Sequence, residues 1–151
     1  MQNYLPITSE GLSRLKEEKE KLLEKRPRIV ESLRTAREMG DLSENAAYKV
    51  ARMELSAIDS RLRYLQKMIL LSKVVTSQKT GYAGIASQVR FIKDGQEGNY
   101  LIVGSVESDP SRGKISHVSP LGRAFIGKKA GDKVAIETPG GRVIYEILSI
   151  D

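Results

Sequence analysis

Two carboxylates three residues apart, Asp41 and Glu44 in Gly40-Asp41-Leu42-Ser43-Glu44-Asn45, are the side chains of this chain best suited to chemistry. Carboxylate oxygens are ligands for hard divalent cations. Mg2+ takes about six oxygens and keeps several waters, with one or two carboxylates and substrate phosphates completing its shell. Two acids therefore supply only part of a site, and the other ligands have to come from a partner. The same spacing also has a structural reading. Asp-x-x-Glu is the spacing of a capping box at a helix start, where an acid gains about 0.3–1 kcal/mol from the helix dipole. With Ser43 as the cap instead, Asp41 and Glu44 are left pointing outwards. The local sequence accommodates both arrangements.

Other chemistries have few residues to work with. The chain of 151 residues contains no cysteine and one histidine, His117. That removes disulfides, thiolate zinc sites and cysteine nucleophiles. No nucleophile and acid are arranged around His117, so it is not expected to be catalytic. The net charge is +6, with 15 Lys+Arg against 11 Asp+Glu in residues 1–77 and 10 against 8 in the remainder. A mild basic excess favours phosphate-rich partners without specifying one. No apolar run approaches the ~18 residues of a membrane span. Met1 to Pro6 lacks the basic start and apolar stretch of a signal peptide. A reducing cytoplasm and no membrane partner are the expectation.

The acids sit between two long stretches of heptad pattern. Leu12, Leu15, Lys19, Leu22, Arg26, Ile29, Leu33 and Ala36 follow alternating steps of three and four. Tyr48, Ala51, Leu55, Ile58, Leu62, Leu65 and Ile69 repeat that spacing after the acids. This is the seam of a coiled coil. The short connection forces the second helix antiparallel to the first, giving arms of roughly 45 Å at 1.5 Å per residue. Lys19 and Arg26 interrupt the first seam, and Pro27 removes a backbone donor there, so a kink or looser packing is expected. Thr8 or Ser9 is the expected cap of the first helix.

Beyond Thr76 the period changes. A polar linker, Thr76 to Gly81, precedes β-rich runs at Val89–Ile92 and Tyr100–Val103, joined through Lys93–Asn99. A second hairpin is expected from Lys133–Thr138 and Arg142–Leu148 around Pro139-Gly140-Gly141. Between them, Ser119 as cap, Pro120 as first residue and Gly127 as stop predict a short helix. The expected fold class is α+β: an antiparallel coiled-coil hairpin over residues 1–77, then a small α+β domain over 78–151.

The stretch from Ala36 through Gly40-Asp41-Leu42-Ser43-Glu44-Asn45 to Tyr48 resembles the signature of the bacterial Gre transcript cleavage factors, of the GreA type. Thr8-Ser9-Glu10-Gly11-Leu12, Arg26-Pro27, Ile115-Ser116, Ser119-Pro120-Leu121-Gly122-Arg123-Ala124 and Gly127-Lys128 agree with it, so the likeness covers nearly the whole chain. Met39 departs from the histidine that many members carry before the glycine.

The resemblance implies an FKBP-like fold for the second domain, docked on RNA polymerase by a surface near Ser119 and Pro120. It implies a hairpin inserted through the polymerase secondary channel, with Asp41 and Glu44 helping to hold a Mg2+ ion shared with polymerase and RNA. The polymerase then cuts the 3′ end of backtracked nascent RNA. Ser43 and Asn45 would support the tip, and Arg37 and Arg52 would contact RNA. By residue type alone Arg37, Lys49 and Arg52 read as a solvated helix face. Tyr48 is a seam residue that could also stack on a base. The chain would be an accessory factor rather than an enzyme, binding no Mg2+ tightly alone and monomeric when free. A non-cleaving regulator occupying the same channel is the alternative.

Overall fold

The structure is a computed structural model that describes residues 3–41 and 44–151. Its elements in chain order are β1 (Leu5–Ile7), α1 (Ser9–Arg37), α2 (Ala46–Leu71), β2 (Ser72–Val74), β3 (Gln88–Lys93), β4 (Gln96–Val103), β5 (Lys114–Ser116), α3 (Pro120–Phe125), β6 (Lys133–Thr138) and β7 (Gly141–Ile150). Two 3-10 turns, Ser105–Glu107 and Pro110–Arg112, lie between β4 and β5. The chain divides into two compact units, residues 13–70 and residues 1–12 with 71–151. Against an expected boundary near residue 77, Leu5–Ile7 belongs to the same unit as the later strands, which begins again at Leu71.

The unit of residues 13–70 is the antiparallel pair of α1 and α2. The seam positions from Leu15 through Ile69 are buried or half-buried, as the heptad pattern requires. Burial is uneven between the two seam lines, however. Leu15, Ile29, Ala36, Ala51, Ile58 and Leu65 are buried. Lys19, Leu22, Arg26, Leu33, Tyr48, Leu55, Leu62 and Ile69 are half-buried. Apart from Leu22, one line per helix is the buried one, and the other lies along the solvent edge.

That asymmetry explains why charges tolerate the seam. Arg26 reaches across to Asp59, donating from Nε to Oδ1 at 2.7 Å and from Nη2 to Oδ2 at 3.2 Å. Arg61 makes the same two-pronged contact with Glu18, at 2.6 and 3.0 Å. These forks let each guanidinium stem cover apolar surface while its head stays wet. The expected disturbance at Pro27 does not interrupt α1, which runs as one helix from Ser9 to Arg37.

In the other unit, β5-β4-β3-β7-β6 form one sheet, antiparallel except for the parallel pairing of β5 with β4. The first hairpin turns more tightly than the sequence suggests. Asp94 and Gly95 take φ of +51° and +75°, a two-residue turn, and Gln96 to Asn99 continue the strand. The short helix forms where its caps predict. Ser119 Oγ accepts the Gly122 N–H at 3.0 Å, and Pro120 is the first helical residue. Helix α3 touches both edge strands, β5 and β6, so the sheet curls about it. The core is aromatic: Phe91 lies 5.1 Å from both Tyr100 and Tyr145, and fully buried Phe125 lies 5.6 Å from Tyr145.

A two-stranded parallel pair, β1 with β2, completes this unit; both strands escape the sequence reading. Beside it Thr8 caps α1, its Oγ1 accepting the Gly11 N–H at 3.1 Å. Thr8 is held in turn by Glu107, whose carboxylate accepts the Thr8 N–H at 2.9 Å, the Thr8 hydroxyl, and the Gly104 N–H at 3.0 Å. Glycine at residue 11 leaves room for this clamp, since a Cβ would stand 2.0 Å from Glu107 Oε1 and displace the carboxylate.

Candidate functional site: the hairpin tip

The connection between α1 and α2, residues 38–45, carries Asp41, Glu44 and Asn45. Gly40 opens it at φ +121°, a conformation that costs a side-chain-bearing residue. Asp41 and Glu44 are both exposed. Ser43, expected to support the tip, lies outside the described residues. The capping-box reading does not hold, because α2 starts at Ala46 and its cap is Asn45. Asp41 and Glu44 both precede the helix.

Asn45 ties the two helix ends. Its Oδ1 accepts the Tyr48 N–H at 3.0 Å, satisfying one open donor of α2. Its Nδ2 donates to the Ala36 carbonyl at 2.6 Å, satisfying one open acceptor of α1. One half-buried amide thus fixes both ends of the loop that carries the acids. Its short polar side chain directly before Ala46-Ala47 is the local signal that marks it as a cap.

The charges around the tip are ordered. Arg34 and Arg37 stand in the last turn of α1, where a cation meets the negative end of the helix dipole. Glu44 lies one residue before the cap of α2, at the positive end. Arg34 engages the neighbouring acids, donating to Glu31 at 2.6 Å and to Glu38 at 3.0 Å. The hydrogen bond from Arg34 holds the Glu31 carboxyl below the usual carboxylate range.

The guanidinium of Arg37 stands 5.9 Å from the Tyr48 ring centroid, so these two candidates meet. Lys49 and Arg52 are exposed on α2. Met39, at the histidine position of the resemblance, is 73% exposed. Ser119 and Pro120 belong to the other unit, at the start of α3. His117 donates its backbone N–H to Val103, and its Nδ1 is buried without a hydrogen-bond partner.

The donor chemistry fits a hard cation only in part. Among the described residues there is no group of three or more His, Cys, Asp or Glu able to hold a metal. Nor is any helix long and apolar enough to cross a membrane.

Fold and site together define an antiparallel helical hairpin that presents acids on its connecting loop, followed by a curled-sheet unit. The family model for the transcription elongation factor N-terminal domain matches residues 5–74, and the GreA/GreB C-terminal model matches residues 78–151. A transcription elongation factor GreA of Lactococcus lactis subsp. cremoris is 40% identical over the whole of both chains. One of Bacillus subtilis is 38% identical over 99% of this chain and 98% of its own. The solved structure of GreA factor homolog 1 from Thermus thermophilus is 22% identical with a TM-score of 0.46, covering 98% of this chain and 99% of its own. The chain belongs to the GreA/GreB family of transcription elongation factors.

Proposed function

We propose that this chain docks on bacterial RNA polymerase through the surface around Ser119 and Pro120 and inserts its hairpin tip into the secondary channel. There it stimulates Mg2+-dependent cleavage of the 3′ end of backtracked nascent RNA, which rescues arrested complexes. The observation that carries this reading is the pair of exposed carboxylates, Asp41 and Glu44, on a loop whose two ends one amide fixes.

In this reading Asp41 and Glu44 donate oxygens to a cation site completed by polymerase and RNA. Mg2+ bound there supplies water activation and charge stabilisation for phosphodiester hydrolysis. The chain's own part is to carry the two acids, orient them and add cations. Arg37 and Arg52 contact the RNA backbone, a sequence-independent interaction suited to a transcript of any sequence. Asn45 is a positioning residue, acting through the loop rather than on the reacting atoms. The chain is thus an accessory factor that donates ligands, and it does not hydrolyse free RNA. A non-cleaving occupant of the channel is the less favoured reading, since the tip keeps both acids and the near-full-length relatives are named GreA.

The test is a backtracked elongation complex supplied with Mg2+ and the purified protein. The wild-type chain shortens the transcript, while Asp41→Ala and Glu44→Ala abolish shortening and still bind polymerase. Cleavage by the double variant at the wild-type rate would sink ligand donation. Binding without cleavage by the wild-type chain at any Mg2+ concentration would establish the alternative.

A further inference from the structure

A second charged feature lies far along the chain from the tip residues. Arg123 in the last turn of α3, Lys128 in the following loop and Lys133 at the start of β6 line one open pocket of about 310 Å3 with Ala124, Ile126 and Val134. The stretch 123–133 also carries Lys129 and contains one acid, Asp132. That carboxylate is turned to its own loop, accepting the Lys129 N–H at 3.0 Å. Glu146 stands opposite Lys133 in the β6–β7 register without forming an ion pair with it. Arg123, Lys128 and Lys133 likewise make no ion pair among the described residues.

Three like charges converging on one concavity repel one another, and no ion pair among the described residues offsets this. Such an arrangement is complementary to an anion from outside. The pocket is too wide for a single small ion and open enough to admit side chains. The continuity of the surface decides between anions: Arg123 stands on the same short helix whose start, Ser119 and Pro120, is proposed above as the polymerase-docking surface.

We infer that the pocket of Arg123, Lys128 and Lys133 receives an acidic side-chain cluster on the polymerase surface and supplies the salt-sensitive part of docking. The inference rests on the docking reading above and adds its electrostatic anchor. Arg123 offers a planar fork for a carboxylate, and the two lysines act as point charges around it. Contacts of this kind at a rim act mainly on the association rate and its salt dependence.

The experiment compares the full-length chain with an R123Q/K128Q/K133Q variant and a charge-keeping R123K/K128R/K133R variant, all three residues being exposed. Binding to core bacterial RNA polymerase and to a labelled single-stranded RNA is measured from roughly 50 to 500 mM salt, where surface charges pass from weakly to strongly screened. The glutamine variant is expected to bind polymerase roughly tenfold more weakly at the low-salt end and to converge on wild type at the high-salt end. The charge-keeping variant should follow wild type, and RNA binding should be unchanged.

Equal polymerase affinity of wild type and the glutamine variant at every salt concentration would overturn the anchor while leaving the docking reading in place. No polymerase binding by the wild-type chain would overturn docking itself, and the anchor with it. A loss confined to RNA binding would reassign the pocket to nucleic-acid phosphate.

Discussion

The two units reach stability by opposite routes. The hairpin buries one thin apolar line per helix and leaves its second seam line at the solvent edge, where forked ion pairs span it. The curled-sheet unit instead closes on one aromatic cluster, with Phe125, Val89, Ile102 and Ile147 almost wholly inaccessible. The difference suits their parts. A two-helix arm spreads little core over a long surface and can carry a small loop at its end, whereas the sheet unit concentrates its burial and offers a fixed surface. Substitutions should therefore be costly in the second unit and graded along the first.

The sharpest contrast comes from truncating one core residue in each. Phe125→Ala should cost about 3–5 kcal/mol, read as a lowered urea midpoint in the near-ultraviolet dichroism of the tyrosines. A loss under about 1 kcal/mol would mean the aromatic cluster is not the centre of that unit.

Within the hairpin, Leu65→Ala should cost about 2–3 kcal/mol and Leu62→Ala clearly less, because Leu65 is fully buried and Leu62 is not. Helical dichroism during thermal unfolding checks this. Equal losses would break the view that a single line carries the packing.

At the tip, Asn45→Ala should cost about 1 kcal/mol as a lost helix cap, yet lower transcript cleavage much more than polymerase binding. Asn45→Asp keeps the acceptor for the Tyr48 N–H but loses the donor to the Ala36 carbonyl. Its helix content should approach wild type while cleavage stays low. Full cleavage by Asn45→Asp would show that the tie to α1 does not position the acids.

The smallest effect is the response to acid. The hydrogen bond from Arg26 lowers the Asp59 carboxyl below its ordinary pKa, and that from Arg61 does the same for Glu18. A depressed folded-state value contributes stability above the unfolded-state pKa, and that contribution is lost as pH falls through the folded value. Hairpin melting should therefore drop as pH falls below about 4, with Asp59→Asn and Glu18→Gln each removing part of the slope. At neutral pH each substitution should lower the melting temperature by only a degree or two, on the order expected of exposed pairs. An unchanged acid slope in the double variant would place the pH response elsewhere.

The seam residues of the hairpin, the Ser119-Pro120 helix start and most of the sheet strands were legible because each depends on local spacing. The identity of the α2 cap was not. Asp41, Ser43 and Asn45 all have oxygens of the right type, and only the position where the helix begins selects among them. The strands β1 and β2 were invisible for another reason: three residues carry no reliable period, and their pairing joins segments on either side of the whole hairpin. The Glu107 clamp on Thr8 lies 99 residues from its partner, beyond any local signal.

The sequence by itself determined the helical period, the antiparallel turn and the presence of two acids between the arms, since residue types and short-range spacing set these. Tertiary structure decided that Asn45 pairs with one open group at each of the two helix ends. It also decided that Arg26 and Asp59 meet across the seam, and that Arg123, Lys128 and Lys133 share one pocket. Each of those outcomes depends on chain segments brought together by burial and backbone hydrogen bonding, which a linear pattern does not encode.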